Sequence, residues 1–367
     1  MRFQTNSKEL STVLSAVAKA ISSKNVIPIM DNFLMVVADG SLTITGSDLE
    51  TSIIAKMTVE QYDNGIAAIP AKVFVNALKE FKDEPITIEA DEKLFGVKIT
   101  SSNGEYEIVG DNPVDYPNTP IEADCKSIVF TKEALIDVVD KVSFAACMDE
   151  ARPVMEGILF DNRGEDAISI VATDARTMAI KDMTGFEGKW QVVVPKHCLN
   201  TLKGLLGRNV NDVEISFNDR NVIFGMGAMK MICRLIDGAY PNYNSVVPKS
   251  NHLLVKIIKE DLLSAIKRVS MFGNDKYPVV RLEFKDKALT LRSQDIGRAM
   301  KASEQVPCEY DGEDITIGLN SIFMMNIINA ISTPSLVITM SEATRPILVF
   351  PDGDDSIKYM LMPLLLS

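Results

Sequence analysis

Histidine is scarce: the 367 residues include only His197 and His252. Neither has a partner at the spacing of a metal site, so we expect both at the surface. No GxGxxG or GxxxxGK-S/T loop is present to hold a phosphate. Cys198 follows His197, and neighbours on a helix should point apart, which argues against a thiol–imidazole nucleophile. Since Asp352–Asp355 fits an acidic turn better than a cation site, no catalytic apparatus is visible and a scaffold is favoured.

Long apolar runs are also missing. No stretch approaches the ~20 apolar residues of a membrane-spanning helix. The N-terminal sequence MRFQTNSKEL lacks the apolar core of a secretory signal. The five cysteines are odd in number and show no CxxC spacing, which favours reduced thiols in a cytoplasmic protein. They are Cys125, Cys147, Cys198, Cys233 and Cys308.

Positive charge is in deficit, since 38 Lys and Arg stand against 50 Asp and Glu, for a formal net charge of −12. This argues weakly against tight nucleic-acid binding, which draws on many contacts between basic side chains and phosphates. It still allows a locally basic surface, because the distribution of charge matters more than its sum.

The clearest positive feature is a threefold repeat. Pro28, Pro153 and Pro278 are each followed by an apolar strand, a turn, an alternating strand and a polar segment with aspartate. Their spacing is 125 residues in both intervals (153 − 28 and 278 − 153). That period matches a whole small domain. We therefore predict three copies of one α+β unit, with domains at 1–122, 123–249 and 250–367; the alternative is unrelated α+β domains of similar size.

Local patterns place the elements of the first copy. Apolar residues at helical spacing predict a helix over 7–21, with Ser7 as its N-cap. Asp39-Gly40 predicts a hairpin turn, and a second helix should cover 71–81. At the other end of the chain, alternation over 356–362 predicts a strand.

Basic residues recur on one face of the second helix in two copies. The pattern i, i+4, i+7 gives Lys72, Asn76 and Lys79 in the first copy and Lys196, Asn200 and Lys203 in the second. The alternative is an ordinary solvated face, but recurrence in equivalent helices favours a shared basic lining. The last helix, over 321–331, breaks the pattern because it has no Lys or Arg.

These motifs resemble a known family. IPIMDNFL, ATDARTMA, LIDGAYPNYNSVVP, NDKYPVVRL and YMLMP, in this order over essentially the whole chain, resemble the bacterial DNA polymerase III beta subunits, the sliding clamps. The resemblance implies three clamp domains with helices inside and antiparallel sheets outside, and a head-to-tail homodimeric ring. Such a ring encircles duplex DNA and tethers the replicative polymerase, clamp loader and other partners through short peptides. It implies a non-catalytic processivity factor without cofactor or metal.

The resemblance also implies contact residues. Lys24 and Arg152 match positions on the DNA side. The dimer interface would place Tyr106 and Ile108 against Met271 and Phe272. A buried strand is the alternative for Tyr106 and Ile108, whereas the other two precede a helix-stop signal where polar residues are usual.

A pocket between the second and third domains should bind partner peptides. The matching positions are Met155, Thr173, Ala175, Arg176, Met178, Pro241, Val246, Met360, Met362, Pro363 and Leu364. Core packing is the alternative for the apolar members. This chain departs from the family at Ala175-Arg176-Thr177 and at Leu365, so the preferred peptide should differ.

Two rival classes stay open on the sequence alone. One is an enzyme with a site at a domain joint, which turnover of a substrate by the purified chain would reveal. The other is a monomeric scaffold that never closes, which sedimentation mass would separate from a dimer.

Overall fold

A computed structural model describes residues 1–118, 125–149, 151–164, 166–285 and 288–366. The helices are α1 (Ser7–Val17), α2 (Ala71–Glu80), α3 (Lys132–Val142), α4 (Lys196–Lys203), α5 (Lys259–Ser270) and α6 (Ser321–Ala330). Each copy of the repeat therefore holds two helices in the described part of the chain, which agrees with the α+β prediction.

The strands fall into three groups that follow the repeat. The first copy contains β1 (Arg2–Asn6), β2 (Asn32–Ala38), β3 (Ser41–Ser47), β4 (Thr51–Thr58), β5 (Glu60–Asp63), β6 (Gly65–Pro70), β7 (Pro85–Ala90), β8 (Gly96–Thr100) and β9 (Glu105–Val109). The second contains β10 (Lys126–Thr131), β11 (Gly157–Asn162), β12 (Ala167–Thr173), β13 (Thr177–Thr184), β14 (Trp190–Pro195), β15 (Asp212–Phe217), β16 (Asn221–Met226) and β17 (Met229–Arg234). The third contains β18 (Leu253–Ile258), β19 (Val279–Lys285), β20 (Ala288–Asp295), β21 (Met300–Pro307), β22 (Glu309–Tyr310), β23 (Ile315–Asn320), β24 (Ser335–Met340), β25 (Ile347–Pro351) and β26 (Ile357–Leu361).

The chain forms two compact units. The first comprises Met1–Leu135 and His197–Leu235. It contains a five-stranded sheet, β5-β1-β7-β8-β9, and an eight-stranded sheet, β10-β15-β16-β17-β4-β3-β2-β6. Helix α1 packs against α2 in this unit, and the fully buried apolar residues of β2 and β3 contribute about 2 kcal/mol each to stability.

The second unit comprises Ile136–Lys196 and Ile236–Ser367. Its nine-stranded sheet runs β14-β11-β12-β13-β26-β25-β24-β18-β22, and its four-stranded sheet runs β21-β20-β19-β23. Helix α5 packs against α6 here.

One pairing rule links successive copies. β17, the last strand of the second copy, pairs with β4, the fourth strand of the first. β26, the last strand of the third copy, pairs in the same way with β13, the fourth strand of the second. The equivalent strands β9 and β21 are edges of their sheets. Two pairings of this type therefore occur within the chain. Among the described strands, β9 (a last strand) and β21 (a fourth strand) are left without such a partner.

The hairpin prediction at Asp39-Gly40 is confirmed. The φ angles are 51° and 75°, the left-handed pair of a type I′ turn, and β2 and β3 flank it. That turn's twist matches the right-handed twist of the two strands, which fixes their register.

The prediction of Ser7 as the cap of α1 is wrong. The cap is Asn6, whose side-chain oxygen accepts the backbone N–H groups of Lys8 (2.9 Å) and Glu9 (3.2 Å). Ser7 is buried, and its hydroxyl donates to the Lys82 carbonyl. Since Asn and Ser are both good caps, the sequence Asn-Ser could not separate them.

We expect Asn6→Ala to lower the free energy of unfolding by about 1 kcal/mol, because two helix N–H groups lose their acceptor. Asn6→Ser keeps an acceptor and is the control, and denaturant titration followed by circular dichroism gives both values. Equal midpoints for the two variants would contradict this role.

Candidate partner-binding site and basic surfaces

An apolar cluster lies on the nine-stranded sheet of the second unit. Met178 on β13 faces Met360 on β26 across the strand pair. We call it the Met178–Met360 cluster; its buried members are Leu159, Val171, Met178, Ile180, Val193, Tyr240, Tyr243, Leu348 and Met360. Partly buried Val154, Ile236, Val247 and Phe350 pack against it. Methionine suits such a surface, because its flexible thioether adapts to varied apolar partners.

An exposed rim borders the cluster. The Met362 amide donates to the Arg176 carbonyl at 2.9 Å, which holds the residue after β26 against the turn before β13. The Met362 side chain is 37% exposed. Pro241 and Val246 are also exposed, and they flank the buried Tyr243. Large apolar side chains left at a surface in this way are typical of interaction sites.

The chain after Met362 returns to the fold. The Leu364 amide donates to the Gly318 carbonyl at 2.8 Å, so Leu364 is anchored beside β23. A side chain at position 318 would collide with Leu366 and the Leu364 carbonyl. Glycine therefore permits the close approach of this segment.

Two buried tyrosines attach residues 240–243 to the sheet. The Tyr243 hydroxyl donates to an Asp161 carboxylate oxygen at 2.9 Å, and the Arg163 guanidinium lies 4.8 Å from the centre of the Tyr243 ring. Burial raises the pKa of Tyr243 to about 12, so its hydroxyl stays protonated as a donor at neutral pH. The Tyr240 hydroxyl donates to the Val171 carbonyl at 3.4 Å. This anchoring fixes the segment that carries Pro241 and Val246.

The turn over 173–177 is held by its own side chains. The Thr173 hydroxyl donates to the Thr177 carbonyl at 2.8 Å and accepts the Ala175 amide. Asp174 accepts the amides of Arg176 and Thr177 at 2.8 and 2.6 Å. Ala175 is thereby kept at a φ of 71°, a left-handed conformation that costs a side-chain-bearing residue roughly 1–2 kcal/mol.

Ala175→Gly should therefore raise the free energy of unfolding by about 0.5–1 kcal/mol. Removing the Cβ relieves the left-handed backbone, and the added freedom of glycine in the unfolded chain offsets part of the gain. Ala167→Gly, at an extended position of β12, is the control and should be destabilising. A urea titration measures both, and a lower midpoint for Ala175→Gly would contradict the interpretation.

The predicted pocket residues divide into two groups. Met178 and Met360 lie in the cluster, whereas Met155 is buried and the Thr173 hydroxyl is engaged within the turn. Ala175, Arg176, Pro241, Val246 and Met362 are exposed, and Pro363 and Leu364 are half-buried. Sequence reasoning missed Val154, Val247, Leu348 and Phe350. The run Ile347–Pro351 is apolar throughout, so alternation could not show which side chains share the face of Met360.

The predicted basic positions are mostly at the surface. Lys72, Asn76 and Lys79 are all exposed on one face of α2. Lys24 and Lys203 are exposed as well. Exposed Arg152 lies 3.9 Å from the Asp149 carboxylate. Lys196 is half-buried, and burial lowers its pKa.

The predicted dimer residues lie at two separate places. Tyr106 and Ile108 are on edge strand β9, and the Tyr106 ring packs edge-on against Phe81 at 5.1 Å between centroids. Met271 and Phe272 follow α5 directly, with 72% and 44% of their surface exposed. Their exposure leaves both side chains accessible to a partner, and the dimer contact stays a prediction.

The structure agrees with one expectation about His197 and Cys198 and contradicts the other. His197 is exposed as predicted. The prediction that the two side chains point apart is wrong, because His197 Nε2 lies 3.4 Å from Cys198 Sγ. Rotation about the side-chain bonds at the first turn of α4 brings neighbours together that ideal helix spacing separates.

Two features are absent from the described part of the chain. No group of three or more His, Cys, Asp or Glu side chains is arranged to hold a metal ion. No helix there is both long and apolar enough to cross a membrane.

Three consecutive α+β copies, joined by pairing of last and fourth strands, define the class: this is the sliding-clamp fold. The crystal structure of the DNA polymerase sliding clamp from Pseudomonas aeruginosa matches it with a TM-score of 0.95 at 24% identity over 100% of both chains. A sliding clamp from Bartonella birtlesii bound to griselimycin matches with a TM-score of 0.93 at 25% identity, again over 100% of both chains.

Sequence comparison gives the family. Residues 1–120, 130–242 and 244–365 match the N-terminal, central and C-terminal domains of the DNA polymerase III beta subunit. The beta sliding clamp of Staphylococcus aureus is 26% identical over 378 residues, covering 99% of each chain. The chain belongs to the DNA polymerase III beta subunit family.

Proposed function

We propose that this chain is a DNA sliding clamp, the processivity factor of a replicative DNA polymerase. Two copies close head to tail around duplex DNA, and the closed ring tethers the polymerase, the clamp loader and other proteins. The single observation that supports this best is the pairing rule between copies, because it leaves one donor strand and one acceptor strand for a second chain. The domain bounds 1–122, 123–249 and 250–367 follow the same three copies.

Closure of the ring follows from repetition of one contact. Each joint within the chain pairs the last strand of one repeat with the fourth strand of another. We therefore expect β9 of one chain to pair with β21 of a second chain. A head-to-tail contact of this kind either closes into a ring or grows into a filament, according to the rotation at each step. Six equivalent domains at about 60° each would close after two chains.

DNA binding is assigned to the exposed basic face of α2 and to its counterparts. Lys72 and Lys79 have no ion-pair partner among the described residues, so they are available to phosphates. Lys24, Arg152, Lys196 and Lys203 complete the proposed set. Contacts of this kind are weak and blind to sequence, which lets a ring slide while its topology keeps it on the duplex.

Partners are assigned to the Met178–Met360 cluster and its rim. Buried methionines beside exposed Met362 and Val246 suit an extended peptide with apolar anchors. The sliding clamp from Bartonella birtlesii binds griselimycin, and we propose this compound as a probe for the same surface here. We assign no catalytic step to the chain and place it in the cytoplasm with the replication machinery.

The test of encirclement is retention on DNA. The protein is incubated with nicked circular DNA at a concentration where dimers exchange, then passed through a sizing column in high salt. High salt removes electrostatic association and leaves only a topological link. We expect co-elution with the circle and release after the circle is cut once. Equal retention on circular and linear DNA would overturn the proposal.

Neutralising Lys24, Arg152 and Lys196 together should weaken DNA binding at low salt and flatten its salt dependence. Each lost phosphate contact lowers the slope of log K against log salt by about 0.9. The control neutralises three exposed lysines outside the set, Lys93, Lys126 and Lys189. Fluorescence anisotropy of labelled duplex gives both slopes, and a slope equal to that of the unaltered protein would refute the assignment.

A further inference from the structure

Two thiols meet where three elements of the first compact unit come together. Cys198 lies in the first turn of α4, and Cys233 lies on β17 opposite Thr51 of β4. Cys198 Sγ is 3.6 Å from Thr51 Oγ1 and 3.4 Å from His197 Nε2. Because Cys233 and Thr51 are directly opposite each other in an antiparallel pair, their side chains share one face of the sheet, and Cys198 adjoins the same threonine. Two cysteines, an imidazole and a hydroxyl therefore form one cluster.

The groups around the two thiols shift their pKa values in opposite directions. The hydrogen bond from Cys233, and then the neighbouring His197 imidazole, lower the pKa of Cys198. Burial raises the pKa of Cys233, so that thiol keeps its proton. The hydrogen bond to Cys198 raises the pKa of His197, and the carboxylates of Asp48 and Glu50 add to this. The cluster thus holds a nucleophilic sulfur beside a protonated thiol.

We propose that Cys198 and Cys233 form an oxidation site that takes small hydroperoxides and closes to a disulfide. The Cys198 thiolate attacks one peroxide oxygen, the O–O bond breaks, and hydroxide leaves to be protonated by solvent. Cys198 is then a sulfenic acid, two electrons more oxidised, and hydrogen peroxide has been reduced to water. The Cys233 sulfur next attacks the Cys198 sulfur, the S–O bond breaks, and the Cys233 proton leaves with the hydroxyl as a second water.

The burial of the site selects the oxidant. Cys198 is 1% exposed and Cys233 is fully buried, while His197, in contact with Cys198 Sγ, is exposed. A small uncharged molecule such as hydrogen peroxide fits that access, and a bulky disulfide such as oxidised glutathione does not. The disulfide would bind α4 to β17 at the strand pair that joins the first two copies.

Cys308 provides a comparison within the same chain. It is half-buried, and burial raises its pKa. It is therefore more accessible than Cys198 but less nucleophilic. If accessibility decides the rate, Cys308 reacts first; if nucleophilicity decides it, Cys198 reacts first.

The experiment treats the whole native protein with equimolar hydrogen peroxide at pH 7 and maps its peptides by mass spectrometry without reduction. We expect the Cys198–Cys233 disulfide to form first, to be reversed by dithiothreitol, and not to form with oxidised glutathione. First modification at Cys308, or no linkage between Cys198 and Cys233, would overturn the proposal. This measurement needs no variant, so misfolding cannot obscure it.

Two variants separate the chemical steps. Cys233→Ser should stop at the sulfenic acid, which dimedone traps at Cys198. His197→Gln should slow the first step severalfold, because the imidazole beside Cys198 Sγ that stabilises the thiolate is lost. Cys308→Ser is the control and should leave both steps unchanged. Dimedone labelling of Cys233→Ser elsewhere than at Cys198 would count against the assigned nucleophile.

Discussion

Truncating Phe272 and Ile108 together to alanine is expected to convert the protein from dimers to monomers at micromolar concentration. Each side chain is an apolar anchor of the proposed contact, and removing one costs about 2 kcal/mol at an interface. The closed dimer contains this contact twice, so the losses total about 8 kcal/mol and raise the dissociation constant about 10⁶-fold. Sedimentation velocity over a concentration series measures the effect.

The control truncates two apolar residues that are exposed elsewhere, Leu94 and Val114. Its sedimentation should match that of the unaltered protein. A Phe272→Ala/Ile108→Ala variant that stays dimeric over the same concentrations would place the contact somewhere else.

The pairing rule makes the contact specific to single residues. Ile108 on β9 is the equivalent of Cys233 on β17 and of Leu361 on β26. Each is paired with an equivalent residue of the preceding strand: Val97, Val222 and Ile347, respectively. Cys233 lies opposite Thr51 and Leu361 opposite Thr177. The two threonines lie four residues before Ala55 and Lys181, which pair with Ile44 and Ile170 on the preceding strand. On β21 the matching residue is Glu304, which pairs with Leu291. The equivalent of the two threonines is therefore Met300, four residues before Glu304. Ile108 should therefore face Met300 of the other copy, and Glu107 should face Lys301.

A charge exchange tests this register. Glu107→Lys should weaken dimers, and so should Lys301→Glu, because each places like charges opposite one another. The double variant restores opposite charges and should recover most of the loss. Additive losses in the double variant would show that the two residues do not face each other.

Met362→Asp is expected to abolish griselimycin and peptide binding, with at least a 100-fold loss of affinity. The substitution places a carboxylate at the apolar rim, where a bound apolar side chain would remove it from water. The sedimentation mass should stay that of the dimer, because Met362 is far along the sequence from β9 and lies outside β21. Fluorescence anisotropy of a labelled ligand gives the affinity.

Leu94→Asp is the control, since it introduces the same charge outside the proposed site, at a side chain that is 77% exposed. It should bind within a few-fold of the unaltered protein. Unchanged binding to Met362→Asp would mean that the ligand site lies away from the Met178–Met360 cluster.

The helices and the repeat could be predicted because their signals are local. The predicted helix over 71–81 agrees with α2, and Asp39-Gly40 forms its turn. The orientation of α2 is less evident from the sequence: Val73 is exposed, while its apolar neighbour Phe74 is fully buried. Two adjacent apolar residues leave the choice to tertiary packing. Strand β5 has four exposed residues and no apolar alternation, so nothing in its sequence could reveal it.

The candidate site was harder to predict, because it depends on contacts between distant segments. Met360 and Met178 meet through pairing of β26 with β13, whose register no local pattern gives. Residues 246 and 247 are both valine, and only packing shows that Val247 contacts the cluster while Val246 stays exposed. The individual contact residues for DNA, peptide and dimer remain predictions that the variants above can decide.

The two joints inside the chain and the proposed joint between chains differ in one respect. β4–β17 and β13–β26 are held by a covalent linker, so each strand meets its partner at a high effective concentration that dilution cannot change. The proposed β9–β21 contact has no such tether and follows the concentration of the protein. Opening of the assembly is therefore confined to one kind of joint. A protein that opens the ring has only to supply the free energy of one β9–β21 contact.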